Sequence, residues 1–273
     1  MSRTRLLEPT GFNQLVRGRD AWYLYNVNDS YIGRSIEKYG EYAGIEARFL
    51  ARLCNDGDVV FEVGANIGAH TVTLARRVGS GGRVLAFEPQ RLAFQSLCAN
   101  VALNSLANVD CYWAALGERR GTIAVPELDP GQPANFGGLS LEQSRQGRSV
   151  ACFTLDDFIA ARRVRLVKID VEGMEADVIR GGLRLIERFR PHLYVENDRV
   201  DKSEALMRLI DGLGYRLYWH TPPLYDADNA RHDPENLFPD VRSFNMLCVH
   251  RDAPAEVTGV APIADFTLHP LRR

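Results

Sequence analysis

Residues 59–68 read Val59-Val60-Phe61-Glu62-Val63-Gly64-Ala65-Asn66-Ile67-Gly68, and this stretch decides the fold. Its first half is a nearly continuous apolar run, which is typical of a strand buried on both faces of a parallel sheet. The two glycines then indicate a tight turn, because glycine adopts backbone conformations that other residues avoid. The apolar spacing that follows predicts a helix over 69–78. The stretch is therefore the strand, turn and helix that open an α/β sheet.

Strands and helices alternate along the rest of the chain. We expect strands at 83–88, 109–116, 164–170, 192–196, 215–220 and 243–250, and helices at 91–104, 174–189 and 202–213. No helix separates the last two strands, so they should pair antiparallel. The pattern predicts an α/β fold with a doubly wound, mostly parallel sheet and a C-terminal antiparallel hairpin. Ligands bind such sheets at the carboxyl ends of the strands.

Length and composition narrow the class of protein. The 273 residues predict an N-terminal cap with helical character over 1–50, a main domain over 51–253 and a tail over 254–273. With 33 basic and 35 acidic residues, the net charge of −2 argues against a nucleic-acid partner. The chain has no apolar run that would span a membrane or serve as a secretory signal, so we expect a cytoplasmic protein. Five scattered cysteines predict neither a disulfide framework nor a zinc cluster.

The turn and the second strand indicate an adenine nucleoside cofactor. Glu88 ends the second strand and lies 20 residues after Gly68, where an acidic side chain can bind both hydroxyls of a ribose. Asn66 and Ala69 stand where the dinucleotide motif needs its second and third glycines. The second glycine admits a pyrophosphate, so its absence disfavours NAD and favours S-adenosylmethionine. A plain glycine-rich turn and an NAD-dependent oxidoreductase remain the alternatives.

Several motifs together resemble the FkbM-type S-adenosylmethionine-dependent methyltransferases. They are the run 59–68, the run Lys168-Ile169-Asp170-Val171-Glu172-Gly173-Met174-Glu175 with residues 178–182, and the upstream Thr154-Leu155-Asp156-Asp157. The segment Gly40-Glu41-Tyr42 with Glu46 is similar to the one that precedes the core in this family. The resemblance covers roughly residues 30–250.

The resemblance implies a seven-stranded methyltransferase sheet and methyl transfer, usually to a hydroxyl oxygen of a sugar or another small molecule. It places the methionine end of the cofactor at the glycine turn, the ribose at Glu88 and the adenine at Ala115. Glu62 departs from the family, which often has Asp there. The expected cofactor-binding residues are Glu62, Gly64, Ala65, Asn66, Gly68, Glu88, Ala115 and Asp170.

The candidate catalytic residues are Asp170, Glu172 and Glu196, which follow or end the fourth and fifth strands of the expected sheet. Two mechanisms fit. In the favoured one, Glu172 or Glu196 is the general base for an alcohol, and burial raises its pKa. In the other, Asp170, Glu196 and Asn197 bind Mg²⁺, which prefers oxygen ligands and would lower the pKa of the hydroxyl. This second placement resembles the metal site of catechol-type O-methyltransferases.

The polar, proline-containing segment 221–241 is a candidate substrate flap, because a loop of this length in a compact domain is usually functional or disordered. Its aromatic and amide side chains suit a sugar acceptor. Candidate substrate residues are Tyr42, Asn197, His220 and Asn245. A nucleic-acid methyltransferase and a non-catalytic relative remain as further alternatives, although intact Asp170 and Glu172 disfavour the latter.

Overall fold

The computed structural model describes residues 11–139, 146–159, 163–253 and 257–272. The strands are β1 (Asn13–Arg17), β2 (Trp22–Asn26), β3 (Val59–Val63), β4 (Arg83–Phe87), β5 (Val109–Tyr112), β6 (Ala115–Leu116), β7 (Gly121–Val125), β8 (Arg148–Phe153), β9 (Val164–Ile169), β10 (His192–Glu196), β11 (Tyr215–His220), β12 (Asn245–His250) and β13 (Ala261–Pro262). The helices are α1 (Ile32–Tyr39), α2 (Gly44–Leu53), α3 (Ala69–Val78), α4 (Arg91–Leu103), α5 (Glu175–Arg180), α6 (Leu183–Phe189) and α7 (Val200–Gly212), with 3₁₀ turns at Leu155–Phe158 and Pro270–Arg272.

An eight-stranded sheet forms the centre of the fold, in the order β13-β11-β12-β10-β9-β3-β4-β5. Strands β5, β4, β3, β9 and β10 are parallel, and β12 runs antiparallel to both β10 and β11. The predicted α/β class and the terminal antiparallel pair are therefore confirmed. The strand order reverses between β3 and β9, so the crevice at their carboxyl ends is where this fold binds ligands.

The two faces of β3 explain why its sequence is a continuous apolar run. All five residues are buried. Val59, Phe61 and Val63 pack into one core beneath α5, α6 and α7, whereas Val60 packs into a second core with α2, α3 and α4. Side chains alternate along a strand, so a strand covered on both faces needs apolar residues at successive positions. Glu62 is the polar exception, and it lies at the end that faces the crevice.

The structure corrects four details of the sequence prediction. The central sheet has eight strands rather than seven, because β13, from the expected tail, pairs with β11. The expected strand 109–116 is split, and its second part, β6, joins β7 and β8 in a separate sheet. The expected helix 174–189 breaks at Gly181, where a Cβ would lie 2.0 Å from the carbonyl oxygen of Gly117. The N-terminal segment contains the hairpin β1–β2 in addition to its two helices.

The N-terminal segment and the region between β11 and β12 cover the crevice from one side. Tyr39 on α1 packs its ring against Phe238 and Tyr225 of that region. Leu224 and Phe238 are buried in the same cluster. Among the helices that the structure describes, none has the length and apolar character needed to cross a bilayer.

Candidate functional site

A cleft of about 370 Å³ opens at the carboxyl ends of β3, β4, β9 and β10. Its volume lies within the range of small-molecule sites in proteins. The predicted residues that line it are Tyr42, Glu62, Gly64, Ala65, Asn66, Glu88, Ala115, Asp170, Glu172, Glu196 and Asn245. The sequence motifs therefore meet at one place, although their individual roles stay predictions.

The turn after β3 brings two strand ends unusually close together. Gly64 has φ of 83°, and a Cβ added to it would lie 1.8 Å from the carbonyl oxygen of Asp170. The N–H groups of Gly64 and Ala65 both donate to the carbonyl of Phe87, at 3.0 Å each. Only glycine fits this position, because it has no side chain and tolerates positive φ.

Asn66 and Glu88 are linked across the same turn. The Asn66 N–H donates to Oε2 of Glu88 at 2.8 Å, and the Gln90 N–H donates to Oε1 at 2.8 Å. Burial raises the pKa of Glu88 to about 7. Each carboxylate oxygen keeps acceptor capacity after these bonds, so Glu88 can still receive hydroxyl groups of a ribose. Gly68, by contrast, does not line the cleft; it precedes α3 with φ of 84°.

A buried lysine lies at the centre of the acidic residues. Lys168 on β9 is 2% exposed, and its Nζ lies 2.9 Å from Oδ2 of Asp170. Glu62 and Glu46 also act on it electrostatically, and these charges together raise the pKa of Lys168 despite its burial. The sequence analysis did not single out Lys168. A charged residue within the otherwise apolar end of a buried strand was the signal that could have identified it.

The carboxylates of Asp170 and Glu196 lie close together, with one oxygen of each within 4.8 Å of the other. Burial acts to raise the pKa of Asp170, but the ammonium of Lys168 holds that pKa below its usual value. Burial and the charge of Asp170 raise the pKa of Glu196 well above its usual value. Two carboxylates this close cannot both ionise easily, so Glu196 holds the proton and Asp170 the charge.

Glu172 occupies a strained position beside this pair. Its φ is 55°, a conformation that costs energy in a residue other than glycine and that often occurs at functional sites. Arg199 donates to its Oε2 at 2.5 Å. Burial, and then the charge of Asp170, raise the pKa of Glu172 to about 7. This value suits a general base that works near neutral pH.

The family can now be identified. The sequence model of the methyltransferase FkbM domain matches residues 62–217. The chain belongs to the FkbM methyltransferase family. The match begins at Glu62 and includes the turn, Glu88 and the three candidate catalytic carboxylates. The resemblance inferred from the motifs is thereby confirmed.

Individual relatives of this FkbM protein are distant. A protein named Methyltransferase 1 from Beauveria bassiana is 28% identical over an alignment of 148 residues, and the match covers 46% of this chain and 59% of that relative. The match thus spans less than two thirds of its length. The crystal structure of methyltransferase FkbM from Methylobacillus flagellatus KT is 17% identical with a TM-score of 0.43, covering 71% of this chain and 44% of that one. M. jannaschii TYW2 in complex with AdoMet is 15% identical with a TM-score of 0.46, covering 89% and 87%.

Asn197 does not join the predicted metal ligands. Its Nδ2 contacts Sδ of Met246 at 3.2 Å, and its carbonyl oxygen lies 2.7 Å from Nε2 of His269. Asn197 is buried and is not among the described residues that line the cleft. The structure therefore does not bring all of the expected set Asp170, Glu196 and Asn197 into the cleft, and metal binding there stays a prediction. The carboxylates of Asp170, Glu172 and Glu196 do lie together, with one oxygen of each within 4.8 Å of the others.

Among the predicted substrate residues, His220 does not line the cleft. Its Nδ1 lies 2.7 Å from the Tyr194 hydroxyl, and its ring stacks on Phe49 with centroids 4.0 Å apart. Burial lowers the pKa of His220 to about 4, so it is a neutral, packed side chain near pH 7. Tyr42 and Asn245 line the cleft. Of the segment 221–241, Leu224 and Val241 reach the cleft, and its role as a flap stays a prediction.

Glu46 is a cleft residue whose role the sequence analysis did not recognise. It lies on α2, is 4% exposed and accepts a hydrogen bond from the Ser243 hydroxyl at 2.9 Å. Asn245 also hydrogen bonds to it, and burial raises the pKa of Glu46 to about 7. His70 on α3 lies beside it, 3.7 Å from Nε2 to Oε1, and burial lowers the pKa of His70 to about 3. The histidine beside Glu46 is therefore neutral near pH 7, and the cation that acts on Glu46 electrostatically is Lys168.

Proposed function

We propose that this FkbM protein is an S-adenosylmethionine-dependent methyltransferase that methylates a hydroxyl oxygen of a small molecule or sugar. One observation supports the proposal above all others. The Gly64 turn and Glu88 lie in the same cleft as the carboxylates of Asp170, Glu172 and Glu196. A cofactor held by the first group would thus present its reactive end beside acids and bases suited to proton transfer.

The residues present fit this cofactor. The turn at Gly64 leaves no room for a Cβ, because the carbonyl oxygen of Asp170 lies 1.8 Å from that position, so the turn is held against the end of β9 inside the cleft. Asn66 in place of a second motif glycine suits a cofactor without a pyrophosphate. We infer that the turn binds the methionine portion, that Glu88 binds the ribose hydroxyls and that Ala115 lies against the adenine.

The chain's own contribution to the reaction is to orient the acceptor and to remove its proton. When bound, S-adenosylmethionine supplies a methyl group on a sulfonium, from which the acceptor oxygen displaces it. Glu172 takes the hydroxyl proton, because its pKa of about 7 makes it half ionised at neutral pH. Arg199 fixes the Glu172 carboxylate through one oxygen. The Asp170–Glu196 pair keeps a single negative charge nearby, which Lys168 balances.

Replacing Glu172 with Gln should lower kcat about 100-fold, the lower range of general-base effects. In the unchanged protein, kcat should fall as pH drops below about 7, because protonated Glu172 cannot accept a proton. The variant should lose this pH dependence. Steady-state rates of methyl transfer between pH 5.5 and 8.5 would show both effects. Asp177→Asn, a change on the exposed side of α5 where Asp177 pairs with Arg180, serves as the control. A Glu172→Gln variant that kept full activity would contradict the role of Glu172.

Treatment with EDTA should change the rate by less than about twofold, because we favour the metal-free base. The ammonium of Lys168 already lies against Asp170, and Glu196 holds a proton. Neither carboxyl group is therefore free to bind a metal ion without first losing that partner or proton. Methyl-transfer assays after chelation, with Mg²⁺ added back to one half of each sample, would measure this. Loss of activity that Mg²⁺ restores would instead support the metal mechanism at Asp170, Glu172 and Glu196.

The direct test of the proposed reaction follows a labelled methyl group from S-adenosylmethionine into hydroxylated acceptors, with sugars first. Product analysis by mass spectrometry and NMR would locate the new methyl group on oxygen. Transfer to nitrogen would contradict the hydroxyl assignment. Failure of every acceptor together with failure to bind S-adenosylhomocysteine would contradict the cofactor assignment.

A further inference from the structure

The part of the cleft around Asp170 is strongly acidic. Glu46, Glu172, Glu196 and Asp198 line it, in addition to Asp170. Of the described lining residues, the basic ones that carry charge at neutral pH are Lys168 and the exposed Arg242. An acceptor that entered this space would therefore meet a negative potential.

The cations near these acids are already engaged. Lys168 lies 2.9 Å from Asp170, and Arg199 contacts both Glu172 and Asp198, the latter at 3.4 Å. Within the described part of the chain, no lysine or arginine forms an ion pair with Glu46 or Glu196. When Glu46 is ionised, it is a buried carboxylate without a paired lysine or arginine, which is costly, and a ligand that supplies the charge compensates for that cost.

Two further observations point to a ligand at these acids. The Oε2 atom of Glu196 is buried and has no hydrogen-bond partner in the described structure, although the residue lines the cleft. Glu46 is held in place by Ser243 and Asn245, and Asn245 itself donates to the Tyr194 hydroxyl at 3.0 Å. Asn245 is the first residue of β12 and Ser243 lies two residues before it, and both line the cleft with Glu46, so their hydrogen bonds fix the Glu46 carboxylate there.

We propose that the acceptor carries a protonated amine and that Glu46 binds this amine, with Oε2 of Glu196 as a second acceptor of its hydrogen bonds. An ammonium has three donors and a positive charge, so it can pair with the Glu46 carboxylate and also donate to the unpartnered Oε2 of Glu196, which a neutral hydroxyl with one donor cannot do. Acceptors that carry a phosphate or a carboxylate are excluded by the same charges. The inference rests on the proposed methyl transfer, and it names the class of acceptor for that reaction.

The test compares matched acceptors that differ only at the amine. Amino sugars, aminocyclitols and amino alcohols are each assayed as the free amine and as the N-acetyl derivative, with labelled S-adenosylmethionine. We expect kcat/KM to be at least 10-fold higher for the amine in the pairs that react. Equal rates, a preference for the acetylated member, or no reaction with any amine while S-adenosylhomocysteine still binds would overturn the inference. In those cases the cofactor assignment would stand, so the two failures are distinguishable.

Glu46→Gln then tests the residue. The ratio of kcat/KM between amine and N-acetyl acceptor should fall to within about twofold of unity, and affinity for S-adenosylhomocysteine should change by less than twofold. A loss of cofactor affinity of 10-fold or more would overturn the inference, because Glu46 would then serve the cofactor. Glu41→Gln is the matched control: Glu41 is near in sequence but pairs with Arg19 and Arg48, away from the cleft lining. Ser243→Ala, which removes one support of Glu46, should lower the ratio by a smaller factor.

Discussion

Gly64→Ala should abolish measurable binding of S-adenosylhomocysteine. The added Cβ would lie 1.8 Å from the carbonyl oxygen of Asp170, and this atom is backbone, so it cannot rotate away. The turn after β3 and the end of β9 would have to move apart. Both line the cleft, so the movement would displace the proposed cofactor-binding turn and the candidate catalytic carboxylates together. Isothermal titration calorimetry and thermal unfolding of the variant would measure the two consequences.

Gly57→Ala is a matched control for this variant. Gly57 has φ of 82°, almost the same as Gly64, but nothing lies within 4 Å of its Cβ position. The cost of placing alanine at positive φ, about 1–3 kcal/mol, is therefore common to both variants. Gly57→Ala should lose that stability and keep its affinity for the ligand. If the two variants bound equally well, the close approach of Gly64 to Asp170 would have no functional role.

Lys168→Met should reduce the free energy of unfolding by about 3–5 kcal/mol at pH 8, the usual effect of removing one partner of a buried ion pair. Without the ammonium, the pKa values of Glu62 and Glu46 rise further above those of the unfolded chain, and the pKa of Asp170, which Lys168 holds below its usual value, rises as well. When an acid has a higher pKa in the folded state than in the unfolded chain, its contribution to the stability of the fold is fully present below the unfolded pKa. That contribution is lost as pH rises through the folded pKa. The deficit should therefore be smaller at pH 5 than at pH 8, as urea unfolding at both pH values would show.

The double variant Lys168→Met with Asp170→Asn separates charge from packing. It removes both members of the 2.9 Å pair, so it should recover part of the stability that the single variant loses. A deficit in Lys168→Met that was independent of pH and was not relieved by the second change would show that the lysine acts through its volume alone.

The sequence predicted the parallel core of the sheet because those strands are buried on both faces. Such strands are continuous apolar runs, as in β3, and the turns after them are marked by glycine or acidic residues. The expected strand 109–116 was wrong in extent, because the break at Trp113 is imposed by tertiary contacts. The Trp113 indole donates to the carbonyl of Pro89, and β6 pairs with the distant β8. No local pattern encodes such pairing.

The candidate site was predictable where residues directly follow a strand. Asp170, Glu172 and Glu196 line the cleft for this reason. Asn197 and His220 were expected in the cleft by the same rule, but neither lines it: the Asn197 side chain contacts Met246, and β11, which carries His220, lies beyond β12 from β10. Glu46 lies on α2, which precedes the residues 62–217 that match the family model. Only the packing of α2 over the sheet brings Glu46 into the cleft.

The central claim is that this cleft binds S-adenosylmethionine beside the catalytic carboxylates. Calorimetric titration of the full chain with S-adenosylhomocysteine, with and without Mg²⁺ and in parallel with NAD, tests it most directly. We predict one site per chain with a micromolar dissociation constant that Mg²⁺ leaves unchanged, and no heat with NAD. Binding of NAD without binding of S-adenosylhomocysteine would contradict the claim and would favour an oxidoreductase built on the same sheet.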